Sequence, residues 1–133
     1  MFNNSHSTRV SLLGLFAVTV LLSGCLTGDN DPAERARTYC ASLFACVAEA
    51  EIEFWTAYDD ANECVDDEID SYEDSSAYGS FQAGECDFDP DSAKRCLEEA
   101  SSVTSDPDCD GTMGFLSFAL DIADDDCDEV YCD

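Results

Sequence analysis

Histidine is almost missing from this sequence: among 133 residues the one example is His6, close to the start. Positive charge is scarce as well. Arg9, Arg35, Arg37, Lys94 and Arg95 stand against 31 acidic residues, a formal charge of −26. Such a chain repels phosphate backbones and bare anionic membrane surfaces, so nucleic acid is excluded as a partner. No Gly-x-Ser-x-Gly elbow, P-loop or dinucleotide-binding glycine fingerprint occurs. Long apolar runs are absent too, except one near the start.

That run is "VSLLGLFAVTVLLSG", directly after Arg9, and no acidic residue precedes Asp29. From Val10 to Leu22 it has the length of a signal-peptide core and falls short of the ~20 residues of a membrane span. A buried core helix would keep a polar face, and this stretch has none. The run ends in Leu22-Ser23-Gly24-Cys25. This resembles the lipobox of bacterial lipoproteins: Leu, two small residues, then Cys. The resemblance implies that the Cys25 thiol takes a diacylglycerol and that a peptidase cuts just before it. A single basic residue in a long polar leader departs from the common pattern. The expected division is a signal peptide at 1–24, a lipidated N-terminus and tether at 25–31, and a cysteine-rich acidic domain at 32–133. Leu26 in place of Asp after Cys25 implies outer-membrane sorting, if the enterobacterial rule applies.

Cleavage before Cys25 removes His6, so serine–histidine and cysteine–histidine catalysis and histidine metal sites go with it. Four bases and 31 acids remain, a side-chain charge of −27. Such charge opposes compaction and is one mark of disorder. A 45% hydrophobic and 11% aromatic composition argues for a fold instead. Aspartate outnumbers glutamate 20 to 11, with one lysine, which suits a salty habitat where repulsion is screened.

The cysteines number nine, an odd count for an exported protein. With Cys25 given to lipid, eight remain: Cys40, Cys46, Cys64, Cys86, Cys96, Cys109, Cys127 and Cys132. An even set in a small exported domain reads as a disulfide framework. The alternative, a zinc site, wants close C-x2-C pairs, whereas here the intervening gaps are 5, 17, 21, 9, 12, 17 and 4 residues.

Periodicity predicts helices. Asp31 is placed to cap the first, with Pro32 at its first position and Glu34 as a capping-box partner. Ala36, Tyr39, Cys40, Leu43, Val47 and Ala50 form its apolar stripe. A second helix fits Thr56 to Tyr72, inward at Ala57, Tyr58, Ala61, Cys64, Val65 and Ile69. "EIEFWT" between them reads as a hairpin turn. Cys40 and Cys64 are equidistant from that turn, which makes Cys40–Cys64 the preferred pair. "SYEDSSAYGSFQAGECDF" has no sustained period and reads as loop. Asp89-Pro90 repeats the earlier start signal, with a third helix from Pro90 to Ser101, inward at Ala93, Cys96, Leu97 and Ala100. "TMGFLSFALDIAD" reads as a fourth, inward at Phe115, Leu116, Phe118, Ala119 and Ile122. The tail is pinned by Cys127 and Cys132. The expected fold is all-α, a small disulfide-stapled bundle of about four short helices. A tether of six residues, "LTGDND", would reach about 20 Å at 3.3–3.6 Å per residue.

Candidate chemistry is thin. Glu51 and Glu53 beside Trp55 could form a carboxylate pair of the glycosidase kind, but so acidic a chain brings some acids together anyway. Asp106-x-Asp108-x-Asp110-Gly111 matches the first half of an EF-hand loop, glycine included. The second half fails, because position 12 is Ser117. Calcium at Asp106, Asp108 and Asp110 is thus the cofactor alternative, against an Asp-rich turn.

The segments "YCASLFACV", "CDFDPDSAKRCLEEA" and "CDEVYC" give the chain after Cys25 a further likeness. It resembles the small, acidic, cysteine-rich lipoproteins abundant in myxobacteria and related predatory bacteria. That resemblance implies an address and a scaffold, with no catalytic residue to carry over. The expected function is a non-enzymatic envelope lipoprotein, held to the membrane by its lipid, offering an acidic surface to an envelope or extracellular protein.

Overall fold

The computed structural model describes residues 26–122, 127 and 129–132. The leader at 1–24 and the lipidation site Cys25 lie outside the described residues. The architecture is all-α, with six helices among the described residues: α1 (Asp31–Cys46), α2 (Glu49–Trp55), α3 (Ala61–Glu73), α4 (Ser76–Gln82), α5 (Pro90–Ser102) and α6 (Phe115–Ile122). A single 3-10 turn, Val103–Ser105, continues α5. Four disulfides tie them together: Cys40–Cys64, Cys46–Cys109, Cys86–Cys132 and Cys96–Cys127.

Helix α1 is the axis. Its Ala36, Cys40, Leu43 and Cys46 are fully buried. Helix α3 runs antiparallel to it, because Cys40 bonds Cys64 while Arg35, a turn earlier, lies over the Tyr72 ring at 5.4 Å. This is the hairpin pairing expected for Cys40 and Cys64. Helix α5 runs parallel to α1. Asn30 and Pro90 flank one groove at the starts of the two helices, and Ser42 Oγ donates to the Ala100 carbonyl at 2.9 Å near their ends.

The connection between α1 and α3 differs from the expected turn. The α1 ladder stops at Cys46, and Val47 is extended at φ −88°, ψ 143°. The cause is distant in sequence: Met113 N donates to Cys46 O, and Ala48 N donates to Met113 O, both at 3.0 Å. The chain then re-enters a helix, so "EIEFW" is α2 and not a turn, and Ala50 is exposed. Helix α3 consequently starts at Ala61, capped by Asp60 Oδ1 on the Asn62 and Glu63 amides at 2.7 and 3.0 Å. Of its expected inward set, Ala57 and Ala61 are exposed.

The segment read as loop contains α4. Ser75 caps it, and its aromatics Tyr78 and Phe81 pack on Tyr131 with centroids at 5.5 and 5.3 Å. Gly84, at φ +71°, then turns the chain away in the left-handed conformation that glycine adopts without strain.

The core divides into two clusters. The larger joins Cys40, Leu43, Cys46, Val47, Ile52, Cys64, Val103, Met113 and Phe118. The smaller joins Ala93, Cys96, Val130 and Tyr131, with Leu26, Tyr78, Phe81 and Phe88 packed on it. Leu26 packs on this second cluster, so residues 26–31, read as the tether, are part of the folded domain. Thr27 N donates to Asn30 Oδ1 at 2.8 Å, Asp31 N donates to Thr27 O at 3.0 Å, and Gly28 is buried. A Cβ at Gly28 would run into the Phe81 ring. The described fold therefore already includes Leu26, and residues 26–31 do not form the extended hexapeptide that would reach ~20 Å.

Candidate functional site

The two Asp-Pro starts part company. Asp89 caps α5 as expected, Oδ1 accepting from the Asp91 and Ser92 amides at 2.8 and 3.2 Å. Those amides, with the Ser92 hydroxyl, hold its carboxyl below the ordinary aspartate value. Asp31 does not cap. The Thr27–Asn30 turn starts α1 one residue early, with Asn30 at the cap position, and the Asp31 side chain turns inward. It is fully buried, and Oδ2 accepts from Arg35 Nε at 2.7 Å and from the Tyr131 hydroxyl at 3.0 Å. Its Oδ1 has no hydrogen-bond partner among the described residues. Glu34 bonds Arg37 in place of a capping-box amide.

This buried group sets the electrostatics of the tether end. Burial raises the Asp31 carboxyl above 3.8, and Arg35 and Tyr131 only partly offset it. Burial and the Asp31 charge together push the Tyr131 phenol far up. Burial with Glu68 nearby puts Tyr39 and Tyr72 at about 12. Arg35 also donates to the Cys127 carbonyl at 3.2 Å and lies 5.6 Å from the Tyr131 ring centroid. Asp31, Arg35 and Tyr131 thus join the first and last described segments. Their role is structural, since each is engaged with the others.

The surface is different at α2 and α6. Phe54 and Trp55 are 75% and 48% exposed, and Leu116 and Leu120 are 61% and 78% exposed. Trp55 stacks on Phe115 at 6.2 Å and takes the Phe54 ring edge-on at 5.0 Å. Glu51 fixes this arrangement: Oε2 accepts from Trp55 Nε1 at 3.1 Å and lies 3.4 Å from the donating Phe115 amide. Phe54, Trp55, Gly114 and Leu116 line an open depression of about 560 Å³. Contiguous exposed apolar groups of this kind mark interaction sites. A second groove of about 690 Å³ runs between α1 and α5, lined by Leu26, Thr38, Lys94 and Leu97 among others.

The expectation for α6 is corrected accordingly. Phe118 is buried and Phe115 and Ile122 half-buried, but Leu116 and Ala119 face outward. The signal for the patch was present: Leu116 and Leu120 repeat at four residues on a second stripe of α6, beyond the one that the core absorbs.

The remaining candidate residues do not assemble. Glu51 is committed to Trp55 and Phe115, while Glu53 is exposed on α2, and no carboxylate pair faces a cleft there. Asp106 Oδ1 accepts from the Asp108 amide at 2.8 Å, and Asp110 Oδ1 from the Thr112 amide at 3.0 Å. Both carboxylates fold back onto their own loop, whose Cys109 is bonded to Cys46. Among the described residues no three His, Cys, Asp or Glu side chains gather to hold a metal ion. Nor is any helix there long and apolar enough to cross a membrane.

The fold and surface define a disulfide-bonded, acidic, all-α domain with one aromatic face. No family model, curated protein or solved structure matches the chain.

Proposed function

We propose that this chain is a non-enzymatic lipoprotein of the cell envelope, anchored through Cys25 at the outer membrane, whose folded domain binds a protein partner. Cysteine pairing is the observation that carries this reading. The eight cysteines after Cys25 are all consumed in four disulfides. The ninth is the one at the end of Leu22-Ser23-Gly24-Cys25, where a lipoprotein needs it. Four disulfides also suit an oxidising compartment. The absence of histidine after residue 6 favours binding over catalysis.

The test is expression of the full chain beside Cys25→Ala in a bacterial host. The unaltered protein is expected to incorporate labelled palmitate and to lose residues 1–24, and the variant to do neither. An unlabelled parent, or equal labelling of the two, would overturn the anchor. The calcium reading is not carried forward as a second function, because Asp106 and Asp110 satisfy their own loop.

A further inference from the structure

The bases and the start of the exposed apolar face lie at opposite ends of α1. All four bases after residue 25 stand in the first halves of α1 and α5: Arg35, Arg37, Lys94 and Arg95. These helices run parallel, so the bases gather at the end where Leu26 and Gly28 pack. No lysine or arginine occurs between residues 38 and 93 or after 95. The far end, beyond the C-terminus of α1, is therefore without positive charge. The 16 residues of α1 separate the two ends by about 24 Å at 1.5 Å per residue.

The exposed aromatic face starts at that far end. Its four apolar residues sit among acids: Glu49, Glu51 and Glu53 on α2, and Asp121 beside Leu120 on α6. An acidic partner would be repelled, and so would a second copy bringing its own charge of the same sign. The parent membrane is disfavoured because Leu26 packs on the cluster at the start of α5, which keeps the anchor nearest the end opposite to the one where the face starts.

We infer that Phe54, Trp55, Leu116 and Leu120 receive a cationic amphipathic helix of a partner protein. Its apolar stripe covers the four side chains, and its lysines and arginines meet Glu49, Glu53 and Asp121. Such helices seat apolar anchors at three- and four-residue spacing, which suits the shallow depression along α2 and α6. The inference rests on the binding-module reading for the existence of a partner, and on charge and shape for its chemistry.

Trp55 is the only tryptophan in the chain and reports on the face directly. The protein is taken as cells make it from the full sequence, in neutral phosphatidylcholine nanodiscs if acylated and in buffer if not. The probe is a tryptophan-free Leu/Lys peptide forming about five helical turns. Its controls are the Leu/Glu counterpart and a Lys/Ser peptide of equal charge. At about 0.15 M salt, where distant charges are screened, the Leu/Lys peptide is expected to blue-shift Trp55 emission. Leu116→Ser/Leu120→Ser, at positions mostly exposed in the fold, should weaken it about tenfold or more.

Equal binding to the parent and the double variant would reduce the effect to bulk charge and overturn the inference. So would equal binding of the Leu/Glu peptide. Trp55 emission already blue-shifted in the nanodiscs before peptide would assign the face to lipid. Self-association abolished by the double variant would assign it to a second copy. Either result also overturns the inference. Loss of the acyl anchor would change the vehicle and leave these readings intact.

Discussion

The Tyr131 hydroxyl lies 3.0 Å from Asp31 Oδ2 and 2.8 Å from the Gly28 carbonyl oxygen. One phenol thus joins the end of the chain to the first turn after the anchor. Both acceptors are buried, so neither can turn to water when the donor is removed. Tyr131→Phe keeps the ring that packs on Tyr78, Phe81 and Phe88. It should cost about 1–3 kcal/mol, the usual range for stranding a buried polar group. Urea unfolding should show a lower midpoint with an unchanged slope. An unchanged midpoint would mean that the tail is not held by this contact.

Acid should stabilise this protein before it destabilises it. Asp31 has a carboxyl raised above 3.8 in the folded state, chiefly by burial. Its contribution is therefore full below the unfolded value and is lost as pH rises through the raised value. Asp89 behaves oppositely. Its carboxyl is lowered by the Ser92 and Asp91 amides, so its contribution exists above 3.8 and is lost as pH falls through the lowered value. Thermal midpoints should climb from pH 7 toward about 4 and fall below it. In 1 M salt, where the Debye length is near 3 Å and distant surface charges are screened, the climb should remain. The share due to Asp31 should persist in the parent and disappear in Asp31→Asn.

Removing disulfides should cost in order of the loops they close. Replacing Cys40 and Cys64 together, 24 residues apart, should cost about 3.5 kcal/mol on loop entropy. Replacing Cys46 and Cys109, 63 apart, should cost about 4.3 kcal/mol. Cys46 also holds the break at Val47 and the start of α2, so the second pair should disturb Trp55 emission and the first should not. Denaturant melts of the two double-alanine variants check both points.

Calcium and magnesium should raise the melting temperature equally at matched ionic strength. Both would screen the acidic surface, and the Asp106–Gly111 loop already uses its Asp106 and Asp110 oxygens internally. An increment specific to calcium would restore the EF-hand-like reading.

Local signals in the sequence were read well where local physics decides them. The α1 stripe as far as Leu43, the Asp89 cap and the facing partners Cys40 and Cys64 all follow from spacing along the chain. The misreadings share one cause, which is a partner far along the chain. Val47 breaks α1 because Met113 pairs with its neighbours, and no periodicity encodes that. Asp31 and Asp89 carry the same Asp-Pro signal, yet Asp31 turns inward toward a tyrosine 100 residues later. Helix α4 forms across Gly79 because Tyr78 and Phe81 find Tyr131. The exposed face was half legible. Leu120 falls off the inward stripe read from the sequence, but Leu116 falls on it, and only the fold shows that α2 brings Phe54 and Trp55 beside an exposed Leu116.

The central claim is that one cysteine of nine is reserved for lipid while the other eight are paired. The intact mass of the protein extracted from its own membranes, under non-reducing conditions, tests this directly. The expected mass is that of Cys25 to Asp133 plus acyl groups on Cys25, less two hydrogens for each of the four disulfides. A mass that retains residues 1–24, or that lacks acyl groups, would contradict it.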